Sequence, residues 1–212
     1  MSHCARGVEK GMKGANGKPI EVMGLLTGRP STLDPQTVII TNSYPLPIEG
    51  FETRVIADDQ AVINYMIRLQ EMLEKTTTDL ICGWYHSHPF DVGSFNHCFL
   101  SSTDLTTQLQ WQRAEDGHGN PWVGVVVDPL RTEAKKTLEM ETFRALPPDY
   151  ENENPHQCPD GRIIHDEKDR LEKWGVCFNR SVGGVWRWIE LRMEMQQAAA
   201  AACFCCHLLV AD

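Results

Sequence analysis

The sequence predicts an α/β (α+β) domain in which helices flank a central mixed β-sheet. Three observations carry that expectation. Short β-branched runs alternate with segments of helical periodicity. One run, PWVGVVVDP (121–129), is almost continuously apolar, the pattern of a strand buried on both faces. The 212 residues are enough for one domain with a sizeable core and few for two.

The first nineteen residues are polar and carry Gly7, Gly11, Gly14 and Gly17, so a loose lead-in is expected there. IEVMGLLTG (20–28) reads as a strand ending at a glycine, and TVIITN (37–42) as a second strand rich in β-branched residues. YPLPIEGFETR (44–54) holds two prolines and a glycine and reads as a loop. From Ala57 to Lys75 the spacing becomes helical. Val62/Met66, Ile63/Ile67 and Leu69/Leu73 stand four apart, on neighbouring turns of one face. DLICGWYHSH (79–88) is the next strand and Ser102 to Glu115 the next helix. After the strand at 121–129, LEMETFRAL (138–146) reads as another. Residues 147–169 hold four prolines and many acids, and are read as a polar loop at a boundary. Residues 170–212 form a C-terminal extension, with VWRWIELRMEMQQAAAAACFCC (185–206) expected as one helix.

Composition narrows the partners. Hydrophobic residues make up 42% and charged residues 23%, an ordinary globular balance. The net charge of −9 argues against nucleic acid and against an anionic membrane, since both need a cationic surface. The eight cysteines show no paired framework, and MSHCARGVEK is not a secretory leader. Reduced thiols in cytoplasm or nucleus are expected. The longest apolar stretch, Ala198 to Ala211, falls short of the ~20 residues of a membrane span and contains His207.

The chemistry concentrates in GWYHSHPFDVGSFNHCFLSSTD (83–104). Strand side chains at i and i+2 share a face, so His86 and His88 project together and Ser87 points away. Pro89 favours extended geometry at His88. Two imidazoles on one face are a bidentate start for zinc. Asp104, in the first turn of the next helix, is the candidate third ligand, which leaves a fourth position for water. Asp91 and His97 lie between and compete as ligands, although both also read as solvated loop residues. The plainer readings are a surface or packing pair for His-x-His, and a helix N-cap for Ser101 with Asp104 three residues on. Cys203, Cys205, Cys206 and His207 match no common metal-site spacing and read as incidental thiols on a helix.

GWYHSHP followed by LSSTD, with Glu21 in the glycine-ended strand, resembles the JAMM (MPN+) metalloprotease motif of a distant Glu, His-x-His and Ser-x-x-Asp. The resemblance continues through LPIEGFETRV (46–55), VVVDPLRT (125–132) and FRALPPDY (143–150), and covers roughly residues 15–180. The EGFETR loop is more similar to the branch that serves the COP-nine signalosome as its catalytic fifth subunit than to the proteasome-lid deubiquitinase. The resemblance implies a cytidine-deaminase-like MPN (JAMM) domain over 20–146. It implies a zinc isopeptidase, one Zn2+ per chain, that removes a ubiquitin-like modifier from cullins (deneddylation) beside other signalosome subunits, including an MPN partner. By matching position, His86, His88 and Asp104 would bind zinc, Glu21 would be the general acid/base, and Ser101 would help hold the oxyanion. Glu52 and Arg54 would belong to a regulatory and substrate-engaging loop. Residence in cytoplasm and nucleus follows. A deubiquitinase of the same fold and an inactive MPN scaffold stay open as alternatives.

The sequence departs from the motif in three places. Twelve residues, PFDVGSFNHCFL, separate His88 from Ser101 where the family pattern has seven. Doubling a loop costs only ~0.6 kcal/mol in closure entropy, so the ligands are still expected to converge. The family places a strand and a helix before the Glu strand, and only about twenty weak residues precede it here, so a missing packing layer is expected. After about Cys177 the match fades.

Overall fold

A computed structural model of the chain describes residues 2–14, 17–34, 37–46, 60–90, 98 and 100–145, together with 163, 165–166, 169, 186–187 and 191–193. Five principal strands form the sheet: β1 (Met23–Pro30), β2 (Val38–Pro45), β3 (Leu80–Ser87), β4 (Val123–Val127) and β5 (Met140–Ala145). Their order is β5-β4-β3-β1-β2. The β1/β2, β1/β3 and β4/β5 pairs are antiparallel, and β3/β4 is parallel. A parallel pair needs a crossover of a dozen or more residues, and helix α3 (Ser102–Asp116) makes it. All five residues of β4 are buried, as its continuous apolar run requires. The result is the mixed α/β sheet expected.

Two short strands extend the sheet. β6 (Trp186–Arg187) pairs with β5, and β7 (Leu191–Met193) runs parallel to β2. They stand at opposite edges of the seven-strand order although only three residues separate them. Seven flat strands would set those edges about 29 Å apart, and the link reaches only about 14 Å. The sheet therefore curls. These strands correct the expectation of one helix over 185–206. The runs W-R-W and L-R-M alternate apolar with charged residues, and that period-two signal prevails over the helical one. Residues from 194 onward lie outside the described residues, as do most of 147–169.

The expected loose lead-in is also corrected. Ser2–Lys13 form helix α1. Gly7 and Gly11 stand four apart, so both face the same way on the helix. That face meets the chain that leads into β1. A Cβ on Gly11 would lie 2.2 Å from the Lys18 carbonyl oxygen, and one on Gly7 would lie 2.7 Å from Val22 Cγ1. The glycines that read as looseness are thus the condition for a close approach. Cys4 joins the core at 1% exposure, and His3 Nδ1 sits 2.9 Å from the Tyr85 hydroxyl. The packing layer expected to be missing is occupied by α1.

Helix α2 (Gln60–Thr76) buries Val62, Leu69 and Leu73. Of the three expected pairs only Leu69/Leu73 is buried together, and Ile63 and Ile67 are exposed. Helix α4 (Pro129–Lys135) was not foreseen. Asp128 caps it by accepting from the Arg131 N–H at 2.8 Å, and Pro129 takes the first turn, where no N–H is missed. The core lies on both sheet faces. Val22, Leu26, Tyr85 and Val125 share one face with Cys4, while Met23, Leu25 and Trp84 pack under α2 on the other.

Gly11→Ala should lower stability by about 1–3 kcal/mol, because its methyl meets a backbone oxygen that can move only with the chain. Gly117→Ala has nothing within 4 Å and a helical φ of −62°, so it should raise stability by roughly 0.4–1 kcal/mol. Urea unfolding midpoints of the two variants decide this. An unchanged midpoint for Gly11→Ala would mean that α1 does not pack against residues 18–20.

Candidate metal centre

Strand β3 lies between two neighbours, and both fix its end. Ser87 points away from the histidines. Its Oγ accepts from the Val22 N–H at 3.0 Å and its own N–H donates to the Val22 carbonyl at 3.0 Å. On the other side the His88 N–H donates to the Val127 carbonyl at 2.9 Å. His86 and His88 therefore face one point, at 1% and 2% exposure. That burial disposes of the surface-pair reading. The His86 ring also stacks on Trp84, with centroids 4.7 Å apart and an interplanar angle of 11°.

Asp104 reaches the same point from α3. Its Oδ2 lies 3.3 Å from His86 Nε2 and 3.6 Å from His88 Nε2, and the two Nε2 atoms are 3.0 Å apart. Ligand atoms on a tetrahedral zinc with bonds of 2.0–2.1 Å would lie about 3.3 Å from one another. The three donors fit such an ion, and they are a group able to hold a metal. The N-cap reading of Ser101 and Asp104 is not a rival to this. Ser101 Oγ accepts from the Asp104 N–H at 3.2 Å, and Asp104 Oδ2 accepts from the Ser101 N–H at 2.7 Å, a complete capping box. The oxygen that closes the box is the one that faces the histidines.

Register places Glu21. Met23 pairs with His86 across the antiparallel β1/β3 ladder, so continuing the ladder by two residues sets Glu21 opposite His88. Residues i and i+2 share a face, hence Glu21 lies on the side of both imidazoles. It is 5% exposed. Burial first, and then the charge of Asp104, push its carboxyl up from 4.5 to about 9. Asp104 goes the other way. Burial alone would raise it, but the charge of His86, hydrogen bonds to both histidines and the charge of His88 outweigh burial and hold it well below the usual carboxylate range. Two neighbouring carboxyls with opposed proton affinities are suited to opposite tasks, one to carry a proton and one to stay anionic.

The structure thus brings Glu21, His86, His88 and Asp104 together, with Ser101 at the helix entry. Glu52, Arg54, Asp91, His97, Cys203, Cys205, Cys206 and His207 lie outside the described residues. Cys98 is buried in a small cluster with Leu100, Val126 and Phe143. Burial raises its thiol above the ordinary range, so it stays protonated. The indole of Trp84 and the amide of Gln108, joined by a hydrogen bond beside His86, went unassigned from the sequence. Their only trace there is spacing, two residues before His86 and four after Asp104.

A carboxyl whose proton affinity rises on folding favours the folded state fully below its unfolded value, and that contribution is lost as pH climbs through the folded value. For metal-free protein, the stability that Glu21 contributes should therefore fall between about pH 4.5 and 9, at a slope no steeper than the ~1.4 kcal/mol per pH unit of one whole proton. Glu21→Gln, an isostere of the protonated acid, should flatten this slope. Urea midpoints at intervals of one pH unit with a chelator present test it, and equal slopes in the two proteins would refute it.

The sequence signature of the family described as JAB1/Mov34/MPN/PAD-1 ubiquitin protease matches residues 1–117. The chain is 39% identical over 143 residues to the COP9 signalosome complex subunit 5 of Yarrowia lipolytica, a match covering 68% of this chain and 37% of that protein. It is 38% identical over 149 residues to the subunit of the same name from Dictyostelium discoideum, covering 69% and 41%. With that of Caenorhabditis elegans it shares 39% over 140 residues, covering 66% and 34%. The chain thus spans well under half the length of these curated relatives. A signature matched over more than half of the chain, on the fold and donor group described above, means that the chain belongs to the JAB1/Mov34/MPN/PAD-1 ubiquitin protease family.

Proposed function

We propose that the chain is a zinc-dependent isopeptidase that removes a ubiquitin-like modifier from cullins, acting as the catalytic subunit of a COP9-signalosome-type assembly. The observation that carries the reaction class is the convergence of His86, His88 and Asp104 donor atoms with the Glu21 carboxyl on the same face. The narrower assignment is supported by the relatives named as subunit 5 of the signalosome and by the EGFETR loop.

In this reading His86, His88 and Asp104 hold one zinc ion, which supplies Lewis acidity and makes water nucleophilic near neutral pH. Glu21 takes the proton from the attacking water and delivers it to the departing amine of the isopeptide. Its high proton affinity suits the second half of that transfer. Ser101 Oγ already accepts from the Asp104 N–H, so its own O–H is left to donate to the developing oxyanion. Asp104, held by the capping box, keeps its charge and its aim throughout. Glu52 and Arg54 engage substrate or restrain the site, other signalosome subunits including an MPN partner complete the assembly, and the enzyme works in cytoplasm and nucleus. A second reading, cleavage of ubiquitin chains by the same chemistry, is favoured by the family description as a ubiquitin protease.

Elemental analysis of the purified chain should find one zinc, and Asp104→Asn should lose it. In the assembled complex, cleavage of cullin from its modifier should vanish in Asp104→Asn and in Glu21→Gln. Ser101→Ala should keep zinc while kcat falls ~10²–10³-fold, the usual worth of one oxyanion donor. Intact cullin beside cleaved ubiquitin chains would select the second reading. A zinc-free chain that leaves both substrates intact would sink the enzyme assignment and point to a scaffold.

A further inference from the structure

We propose that Gln108, acting through Trp84, is a positioning residue for the donor His86, an inference that rests on the metal reading above. Metal-ligating histidines usually fix their second ring nitrogen on a carboxylate or carbonyl, which sets the tautomer and the ring orientation. His86 departs from that pattern. Its Nδ1 is buried and has no hydrogen-bond partner among the described residues. The ring is held instead by its stack on Trp84.

Trp84 is in turn anchored. Its Nε1–H donates to Gln108 Oε1 at 2.8 Å, within the core. Gln108 is 0% exposed, and its amide orientation is dictated by its partners. Nε2 donates to the Trp122 carbonyl at 3.1 Å and to Gln112 Oε1 at 3.0 Å, which leaves Oε1 for the indole. Gln112 is held by the Ala145 backbone in both directions, accepting at 2.9 Å and donating at 2.8 Å. The amide end of this chain is therefore rigid. Gly124 makes room for it, since a Cβ there would lie 2.9 Å from Gln108 Oε1 and 3.2 Å from Trp84 Nε1.

Placement gives the bond its meaning. Trp84 stands two residues before His86 on β3, and Gln108 stands one turn after Asp104 on α3. The Trp84–Gln108 bond ties together the two elements that each bring donors to the site, one step behind the donors themselves. It fixes the distance from β3 to α3, and with it the 3.3 Å between His86 Nε2 and Asp104 Oδ2. It also holds the surface on which the His86 ring stacks. Being neutral, it adds no charge to compete with a cation.

The test uses the full chain, zinc affinity by competition with a chromophoric chelator, and the visible absorption of the cobalt-loaded protein. Gln108→Met keeps the side-chain length and loses the acceptor, while Trp84→Phe keeps a stacking face and loses the donor. Asn120→Ala is the control, because it removes a buried bond to the Ile81 carbonyl at the other end of β3. Each clamp variant should weaken zinc about 10–100-fold and alter the cobalt band, the double variant should be no weaker than the worse single, and the control should stay within about threefold of wild type. Gln108→Met alone decides the matter if Trp84→Phe does not fold. Clamp variants that bind zinc like wild type, or a control that weakens it as much as they do, overturn the inference and leave the metal reading standing. A wild-type chain that binds neither zinc nor cobalt removes both.

Discussion

The site depends on the register of one strand. β3 is paired on both sides, antiparallel to β1 and parallel to β4, and His86 and His88 fall at its end. Side chains alternate along a strand, so a slip of one residue would send both imidazoles to the opposite face and bring Ser87 inward. Ser87 opposes that slip. Its backbone and its hydroxyl both bind Val22, which locks β3 against the segment that carries Glu21. The residue between the histidines thus keeps His86, His88 and Glu21 on one face.

The second constraint is local to α3. Asp104 is placed by the first turn of its own helix, through the box it closes with Ser101, rather than by the loop that leads there. This explains how five extra residues between His88 and Ser101 leave the donors converged. The end of that segment is tied down separately by Cys98 and Leu100, which pack on Val126 and Phe143. Spacing is strict where one hydrogen-bonded turn sets it and loose where only chain closure does.

That division also sorts what the sequence made legible. Apolar and β-branched runs found the five principal strands and four-residue spacing found α2, because side chains there report their own burial, and the segment after Ser101 reads as α3. The His-x-His and Ser-x-x-Asp spacings located three converging donors, because strand and helix geometry act over two and three residues. Register did the same for Glu21 once the ladder was known. The failures share a cause. Gly7 and Gly11 look like flexibility until residues 18–22 lie against them. The tryptophan-rich tail looks helical until β5 and β2 offer edges to pair with. Trp84 and Gln108 carry no local signal, since their bond exists only after β3 and α3 have packed. Helix α4 does have a local signal, since Asp128-Pro129 is a helix start in sequence alone.

The two acids at the site show how far surroundings decide chemistry. Asp104 sits at a helix N-terminus, accepts from the Ser101 N–H and faces two imidazoles, so every neighbour favours its anion. Glu21 lies in the extended segment ahead of β1, buried and beside that anion, so its own ionisation is opposed twice. The asymmetry does not come from the acids, whose ordinary values are close. It comes from what surrounds each: Asp104 faces two imidazoles that outweigh its burial, and Glu21 is buried beside an anion. One carboxyl at a helix start facing two imidazoles and one buried in the segment ahead of a strand thus hold opposite protonation preferences before any substrate arrives.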